Sequence, residues 1–330
     1  MSVNLLYEKD YNESYKDYII DFILHETDSK LVNENIDLSN NKIHINIMMA
    51  IYLYGINSDR YHLTEYIFRH YKTIQNYFEK YAMITFTIIG SEKELSKNLV
   101  SKYFNFDNTT YFEFDQSDTK YKNIFNMLNN KINYGMKQCY NKHPDILLWA
   151  GSNDYICFNF FKQLIEFYNP NQLQIYGIDN YYNGNNAVYY CKFNNNKIED
   201  IPFFWHNGKF NYSGRNIYNY VGGIFGVNKK VFDIYPDVLE RWSCDEGRDE
   251  KNILDKNNLS PSSDKYVHKL NTKNLFFINF KIGGGQEISS YEWLYNVMKN
   301  DTIDNNSNYL NSHFLKIFQN EYKYFKSLIM

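Results

Sequence analysis

Residues 144–157 constrain the fold of this chain most strongly, because an unbroken apolar run ends there in a small polar step. Apolar residues 146–150 lead directly into Gly-Ser-Asn-Asp at residues 151–154. Such a run is typical of a strand covered on both faces, as in the middle of a parallel sheet. Glycine permits a sharp turn, and open α/β sheets bind ligands beyond the carboxyl ends of their strands. Two interpretations of Asp154 follow: it holds a divalent metal under a nucleotide's phosphates, or it caps the next helix.

The first half of the chain alternates apolar runs with amphipathic helical patterns. We predict strands over residues 44–54, 83–90 and 110–114, and helices over residues 63–81, 92–103, 121–140 and 158–168. Each strand is followed by a polar loop, which is typical of βαβ units that build a parallel sheet. Because such crossovers are almost always right-handed, these loops are expected along one rim of the sheet.

The pattern changes after residue 170. Predicted strands over residues 173–178 and 187–193 are separated by Asn-rich turns, which is typical of antiparallel hairpins. A glycine-loosened strand is predicted over residues 222–227, a helix over 229–239 and a late strand over 275–281.

These elements predict one main domain over residues 41–300. Its first half, residues 41–170, would bind a nucleotide, and its second half, residues 171–300, would form the acceptor side. Residues 1–40 are interpreted as an extension packed on this domain, and residues 301–330 as a helical tail.

Composition argues against several other classes. The net charge of -3 provides no overall basic field for nucleic acid, and the four cysteines include no CxxC pair for zinc. No apolar run approaches the roughly 18–20 residues of a membrane span, and the amino terminus becomes charged too early for a secretory signal. We therefore expect a cytoplasmic protein. The abundance of Lys, Asn, Ile, Tyr and Phe indicates an AT-rich genome such as that of a virus, which would make the location a host cytoplasm.

Several short motifs occur in a consistent order along the chain. They are Lys131-x-Asn133-x-Gly135, the step at residues 151–154, the glycine-rich segment 222–227, the acidic segment 247–249 and the strand 277–281. Together they resemble the glycosyltransferase-A fold, especially its small viral and bacterial members, over about residues 43–295. The resemblance implies an α/β, Rossmann-like fold with a mostly parallel central sheet flanked by helices and a smaller antiparallel acceptor part.

The resemblance also implies a site. The predicted donor-binding residues are Arg60, Asp115, Lys131, Asn133, Ser152, Asn153 and Gly223. Asp154 is the predicted ligand of Mn²⁺ or Mg²⁺, and Asp249, followed by Asp245, is the predicted catalytic base or acceptor-orienting residue. For Arg60 and Lys131, an ordinary solvated surface position is the alternative.

The chain departs from the family pattern at two positions. The family's metal motif usually has acids at both key positions, whereas Asn153 precedes Asp154 here, and Asn279 stands where relatives often carry Asp. Most of the oxygen ligands of an octahedral cation would therefore have to come from the donor's diphosphate and water.

The leading hypothesis is a metal-dependent glycosyltransferase that moves a sugar from a nucleotide-sugar donor, with a UDP-sugar favoured, to a hydroxyl acceptor such as a glycan. One alternative is a viral or phage enzyme that glycosylates hydroxymethylated pyrimidine bases of DNA. A nucleotidyltransferase and a non-catalytic nucleotide-sugar-binding module are alternatives of other classes.

Overall fold

The computed structural model describes residues 42–115, 124–176, 187–195, 197–198, 203–205, 225–234, 236, 268–269 and 276–282. The strands are β1 (Ile43–Ala50), β2 (Ala82–Gly90), β3 (Thr109–Glu113), β4 (Ile146–Gly151), β5 (Asp154–Ile156), β6 (Gln174–Tyr176), β7 (Ala187–Asn194), β8 (Lys197–Ile198), β9 (Phe203–Trp205), β10 (Phe225–Asn228), β11 (His268–Lys269) and β12 (Phe276–Ile282). The helices are α1 (Asp59–Phe78), α2 (Glu94–Tyr103), α3 (Ile124–Tyr140), α4 (Phe158–Phe167) and α5 (Lys229–Ile234).

A seven-stranded sheet forms the centre, with the strand order β11-β6-β10-β4-β1-β2-β3. β1 pairs in parallel with β2 and β4, and β2 pairs in parallel with β3. β10 runs antiparallel to both of its neighbours, while β11 is parallel to β6. The predicted α/β class, with a Rossmann-like and mostly parallel central sheet, is confirmed.

Helices cover both faces of this sheet because its strands are apolar on both sides. Ile45, Ile47 and Met49 point to one face and join a core with α1, α2 and α4. Met48 points to the other face and packs with α3 and α5. The apolar runs of β1 and β4 are therefore continuous because both faces of these strands are buried, as their sequences predict.

The connection from β1 to α1 is tighter than the predicted elements suggest. The strand predicted over residues 44–54 ends at Ala50, and Tyr54 and Gly55 then adopt positive φ angles of 57° and 100°. α1 begins at Asp59, before the predicted residue 63, because the Ser58 side chain accepts a hydrogen bond from the Tyr61 N–H at 3.0 Å. Such a cap satisfies a backbone donor that has no partner within the helix.

A second, smaller sheet has the order β5-β12-β7-β8, and β9 also pairs with β7. β12 is antiparallel to β5 and parallel to β7, while β8 and β9 are both antiparallel to β7. This sheet supplies the smaller, largely antiparallel part that the fold prediction included.

The predicted hairpin does not form, and a different one takes part of its sequence. β7 and β8 form an antiparallel pair around the Asn-rich turn at Asn195. The two strands predicted over residues 173–178 and 187–193 do not pair with each other. β6 pairs with β10 and β11 in the central sheet, so both of its edges are occupied, and β7 belongs to the second sheet.

The predictions for the two ends of the chain, residues 1–40 and 301–330, fall outside the described residues, and the division into halves stays a prediction. Within the described part, no helix has both the length and the apolar character that crossing a membrane requires.

Candidate functional site

The carboxyl ends of β1, β2 and β4 lie side by side at one rim of the central sheet. From β1 the chain moves outward through β2 to β3, and then returns to the opposite side of β1 to form β4. Such a reversal is a topological switch point, where open α/β sheets form a ligand-binding crevice. Ala50 and Gly151 are paired across β1 and β4 at this point. The polar step at residues 151–154 therefore begins at the crevice.

The Asp154 carboxylate folds back onto the start of this step. Its Oδ2 atom accepts a hydrogen bond from the Gly151 N–H at 2.7 Å, and Asp154 is only 2% exposed. A Cβ atom on Gly151 would overlap Oδ2 and lie 2.9 Å from the Asp154 Cγ atom. Any side chain at position 151 would therefore have to displace the carboxylate, which favours glycine there.

The same step is joined to β12 of the second sheet. Asn153 accepts the Phe280 N–H at 2.9 Å through its backbone oxygen, and its Nδ2 donates to the Phe280 carbonyl at 2.8 Å. Asp154 is paired in register with Asn279, whose Nδ2 donates to Asp154 Oδ1 at 2.7 Å. Both oxygens of the Asp154 carboxylate thus accept hydrogen bonds from protein amides.

Helix α1 supports β5 from its other side. His70 Nε2 lies 2.7 Å from the Ile156 carbonyl, and because a carbonyl only accepts, Nε2 carries the proton. The Tyr71 hydroxyl donates to the Asp154 carbonyl at 3.5 Å, and the His70 ring stacks on Tyr155 at 3.9 Å. Burial lowers the pKa of His70 from 6.5 to about 3, so its imidazole is neutral. The interpretation of Asp154 as a helix cap is wrong, because Asp154 lies in β5 and α4 has its N-cap at Cys157.

Lys131 joins the carboxyl ends of β1 and β2. Its ammonium donates to the Ile51 carbonyl and, at 2.6 Å, to Ser91 Oγ, and the residue is 2% exposed. Burial lowers the pKa of Lys131 to about 7, while Glu92 and Glu113 act in the opposite direction. The alternative of a solvated surface lysine is therefore wrong.

Gly135 explains how Lys131 comes so close to the sheet. A Cβ atom on Gly135 would lie 2.8 Å from both Ile89 Cγ1 and Met48 Sδ. The missing side chain lets α3 approach β1 and β2. Lys131 lies four residues earlier and therefore on the same helix face, which directs it to the rim. The spacing in the Lys-x-Asn-x-Gly motif thus has a packing reason.

Glu92 and Glu113 fix the loops on the β2 side of the rim. The Glu92 carboxylate accepts the Leu53 N–H at 2.5 Å, which ties the loop after β1 to the loop after β2. Glu113 accepts the Lys93 N–H at 3.0 Å and the Tyr111 hydroxyl at 2.5 Å. Sequence reasoning missed Ser91 and Glu92, although they directly follow a predicted strand and the same rim rule points to them.

The other predicted donor residues are distributed around this rim. Arg60 lies in the first turn of α1, shortly after the end of β1, and Asn133 lies in α3. Ser152 is buried within the step, while Asp115 is exposed just beyond the end of β3. Gly223, Asp245 and Asp249 fall outside the described residues, so their predicted roles stay predictions.

The residues around Asp154 do not fit a cation held mainly by the protein. Mg²⁺ and Mn²⁺ require several oxygen ligands, whereas the Asp154 carboxylate is enclosed and accepts hydrogen bonds from Gly151 and Asn279. Asn279 adds a neutral oxygen, Oδ1, that is buried without a hydrogen-bond partner among the described residues. Across the described part of the chain, no three His, Cys, Asp or Glu side chains come together as a metal site. The described residues therefore form no Mn²⁺ or Mg²⁺ site by themselves, and ligation of a cation by Asp154 together with the donor's diphosphate stays a prediction.

Comparison with known proteins gives similarity in structure alone. No family model and no curated protein matches the sequence. A putative nucleotide-diphospho-sugar transferase from Desulfovibrio desulfuricans G20 is 11% identical over 86% of this chain and 97% of its own, with a TM-score of 0.36. S. aureus TarS 1-349 in complex with UDP-GlcNAc is 13% identical over 85% of this chain and 73% of its own, with a TM-score of 0.46.

A third similar structure is the 4-diphosphocytidyl-2C-methyl-D-erythritol synthase of Anaerococcus prevotii DSM 20548. It is 12% identical over 81% of this chain and 100% of its own, with a TM-score of 0.39. Because all three TM-scores lie below 0.5, we base the function proposed below on the geometry of this chain.

Proposed function

We propose that this protein is a glycosyltransferase that binds a nucleotide-sugar donor at the rim formed by β1, β2 and β4. The observation that carries the proposal is the position of the step at residues 151–154, at the switch point between β1 and β4. Ligands of open α/β sheets bind at such a point. The motif order then supports a nucleotide sugar as the ligand.

The chain offers positive charge for a diphosphate near this crevice. The amino-terminal end of α1 is the first helix end after β1, and its helix dipole favours an anion there, although Asp59 places one negative charge in the same turn. Arg60 adds a full charge within the first turn. Lys131 stabilises the β1 and β2 ends, so that the loops after both strands present one continuous surface to the donor.

Transfer breaks the bond between the anomeric carbon and the diphosphate oxygen and forms a bond to the acceptor oxygen. The bonding electron pair leaves with the nucleoside diphosphate, and the acceptor hydroxyl loses its proton to a base. For transfer with inversion, Asp249 is the first proposed base and Asp245 the second. We include no step through a metal ion, because the described residues around Asp154 form no metal site by themselves.

A thermal-shift screen tests the donor. UDP-, GDP- and CMP-sugars and CTP are each added to the whole chain, in parallel with Mn²⁺ and with EDTA. A nucleotide sugar at about 100 times its Kd should raise the free energy of unfolding by about 2.7 kcal/mol. Stabilisation by CTP alone would favour nucleotidyl transfer, and no shift from any nucleotide sugar would reject the proposal.

Two arginines of the same helix locate the site. Arg60→Ala should weaken binding of the stabilising nucleotide about tenfold, as expected for loss of a charged hydrogen bond. Arg69→Ala is the matched control, because Arg69 lies two turns further along α1 against Glu65 and Tyr103. Equal affinity for both variants would move the donor away from this rim.

The acceptor is tested once a donor is known. Release of the nucleoside diphosphate is followed with a glycan mixture, with DNA containing hydroxymethylated pyrimidines, and with unmodified DNA. Transfer to the modified DNA alone would establish the alternative DNA acceptor. Its rate should then fall with added salt, since contacts to phosphates release counterions.

A further inference from the structure

The Asp154 carboxylate holds two sheets together through neutral donors. Gly151, at the end of β4, donates to Oδ2, and Asn279, on β12, donates to Oδ1, both at 2.7 Å. Hydrogen bonds to an ionised acceptor are stronger than those between neutral groups. A single side chain therefore fixes the end of the central sheet against the second sheet.

The neighbouring residue doubles this connection. Asn153 makes two hydrogen bonds to Phe280, one through its backbone oxygen and one through its side-chain amide. The side chains of Asn153 and Asp154 thus bind two adjacent residues of β12, Phe280 and Asn279 respectively. The step has little freedom to move relative to either sheet.

We infer that Asp154 is a positioning residue. Its carboxylate, bound by Asn279 and Gly151, holds the step at residues 151–154 in the conformation that binds the nucleotide. In this role Asp154 binds no divalent cation. This inference rests on the proposed function for its nucleotide. It assigns a role to Asn279 as well, as the partner that orients the carboxylate. A metal-ligand role makes the opposite prediction, because Asp154 would then matter for cation binding more than for folding.

Exchange of the two side chains tests the contact. Asp154→Asn leaves one oxygen to serve two donors, and Asn279→Asp brings two carboxylates to hydrogen-bond distance. Each variant should lower the Tm in EDTA by about 3–6 °C. The double variant Asp154→Asn with Asn279→Asp restores an amide–carboxylate pair, with an amide oxygen left to accept the Gly151 N–H. Its Tm should recover most of the loss, even where Asp154→Asn alone does not fold.

A matched pair controls for the general cost of a buried charge. Asn46, on β1, is also buried and hydrogen-bonded, to Thr85 and Thr87, but lies away from the rim. Asn46→Asp should lower the Tm, and its combination with Asp154→Asn should show no recovery. If the Tm recovers no more in the double variant Asp154→Asn with Asn279→Asp than in this control, the inferred contact is overturned.

Binding of UDP, in Mn²⁺ and in EDTA, tests the role in positioning. For the wild-type chain the Kd should agree within about twofold between the two conditions. Asp154→Asn should weaken UDP binding about tenfold in both conditions, and the double variant Asp154→Asn with Asn279→Asp should restore the binding. The inference would be overturned if Mn²⁺ lowered the Kd of the wild type for UDP by tenfold or more, and if this effect were lost in Asp154→Asn while its Tm stayed unchanged. Absence of binding by the wild type to every nucleotide in the screen would reject the proposed function, and the functional part of the inference with it.

Discussion

The Asp154 carboxylate fills the space that a side chain on Gly151 would need. A Cβ atom on Gly151 would overlap Oδ2 of Asp154, which the Gly151 N–H binds at 2.7 Å. The residue that ends β4 and the residue that begins β5 are therefore coupled through space as well as along the chain.

Gly151→Ala should lower the free energy of unfolding by about 1–3 kcal/mol, because the new methyl group must displace the carboxylate. Urea denaturation measures the change. Gly55→Ala is the control, since Gly55 has open space around it and a φ of 100°, so its cost is backbone strain. In an Asp154→Ala background, the cost of Gly151→Ala should shrink while that of Gly55→Ala stays. Equal costs in both backgrounds would contradict the overlap.

Lys131 should make the protein more stable in mildly alkaline solution. Its folded pKa of about 7 lies below the ordinary value of 10.5, so between these values the unfolded chain binds more protons. Stability should therefore rise with pH in this window, by up to about 1.4 kcal/mol per pH unit. Lys131→Met should flatten the rise in urea denaturation curves. Ser91→Ala, which removes one acceptor but keeps the ammonium, should retain it.

His70 should produce a loss of stability in acid. Its folded pKa of about 3 is below 6.5, so its contribution is complete above pH 6.5 and is lost as the pH falls toward 3. Above about pH 5, carboxylates of ordinary pKa stay ionised and interfere little. His70→Gln retains a donor for the Ile156 carbonyl without the titration. Between about pH 5 and 6.5, the free energy of unfolding of this variant, measured with denaturant, should depend less on pH than that of the wild type. An unchanged dependence would show that His70 is protonated in the folded protein.

Cys139 should resist alkylation in the native protein. It is fully buried, and burial raises the pKa of its thiol to about 12, so little thiolate is present at neutral pH. Iodoacetamide followed by peptide mass spectrometry should find Cys139 modified only after denaturation. Rapid native labelling would mean that α3 opens from the sheet.

The elements of the first half could be predicted because each carries its own signal. β2 and α2 lie within two residues of their predicted bounds, since apolar periodicity and polar loops are local properties. The β5 strand was missed, because three residues carry no periodic pattern and depend on β12, more than a hundred residues away. The wrong hairpin has the same origin, since the Asn-rich turn does not specify which sheet receives the next strand.

The site was predicted in part for the same reasons. The step at residues 151–154 was identified from the apolar run before it and Lys131 from motif order, and both lie at the predicted rim. The atoms that they contact could not be read from the chain: Lys131 binds Ile51 and Ser91, and Asp154 binds Asn279. His70 carried no sequence signal, because it lies within a run of helix residues that are mostly apolar and aromatic.

By itself, the sequence determined that the chain forms an α/β sheet whose polar loops gather at one rim, because strand burial and helical periodicity are properties of neighbouring residues. Only the tertiary structure decided what the Asp154 carboxylate does. Its two oxygens are engaged by donors from β4 and β12, and the order in which strands from distant parts of the chain enter two sheets determines which donors those are.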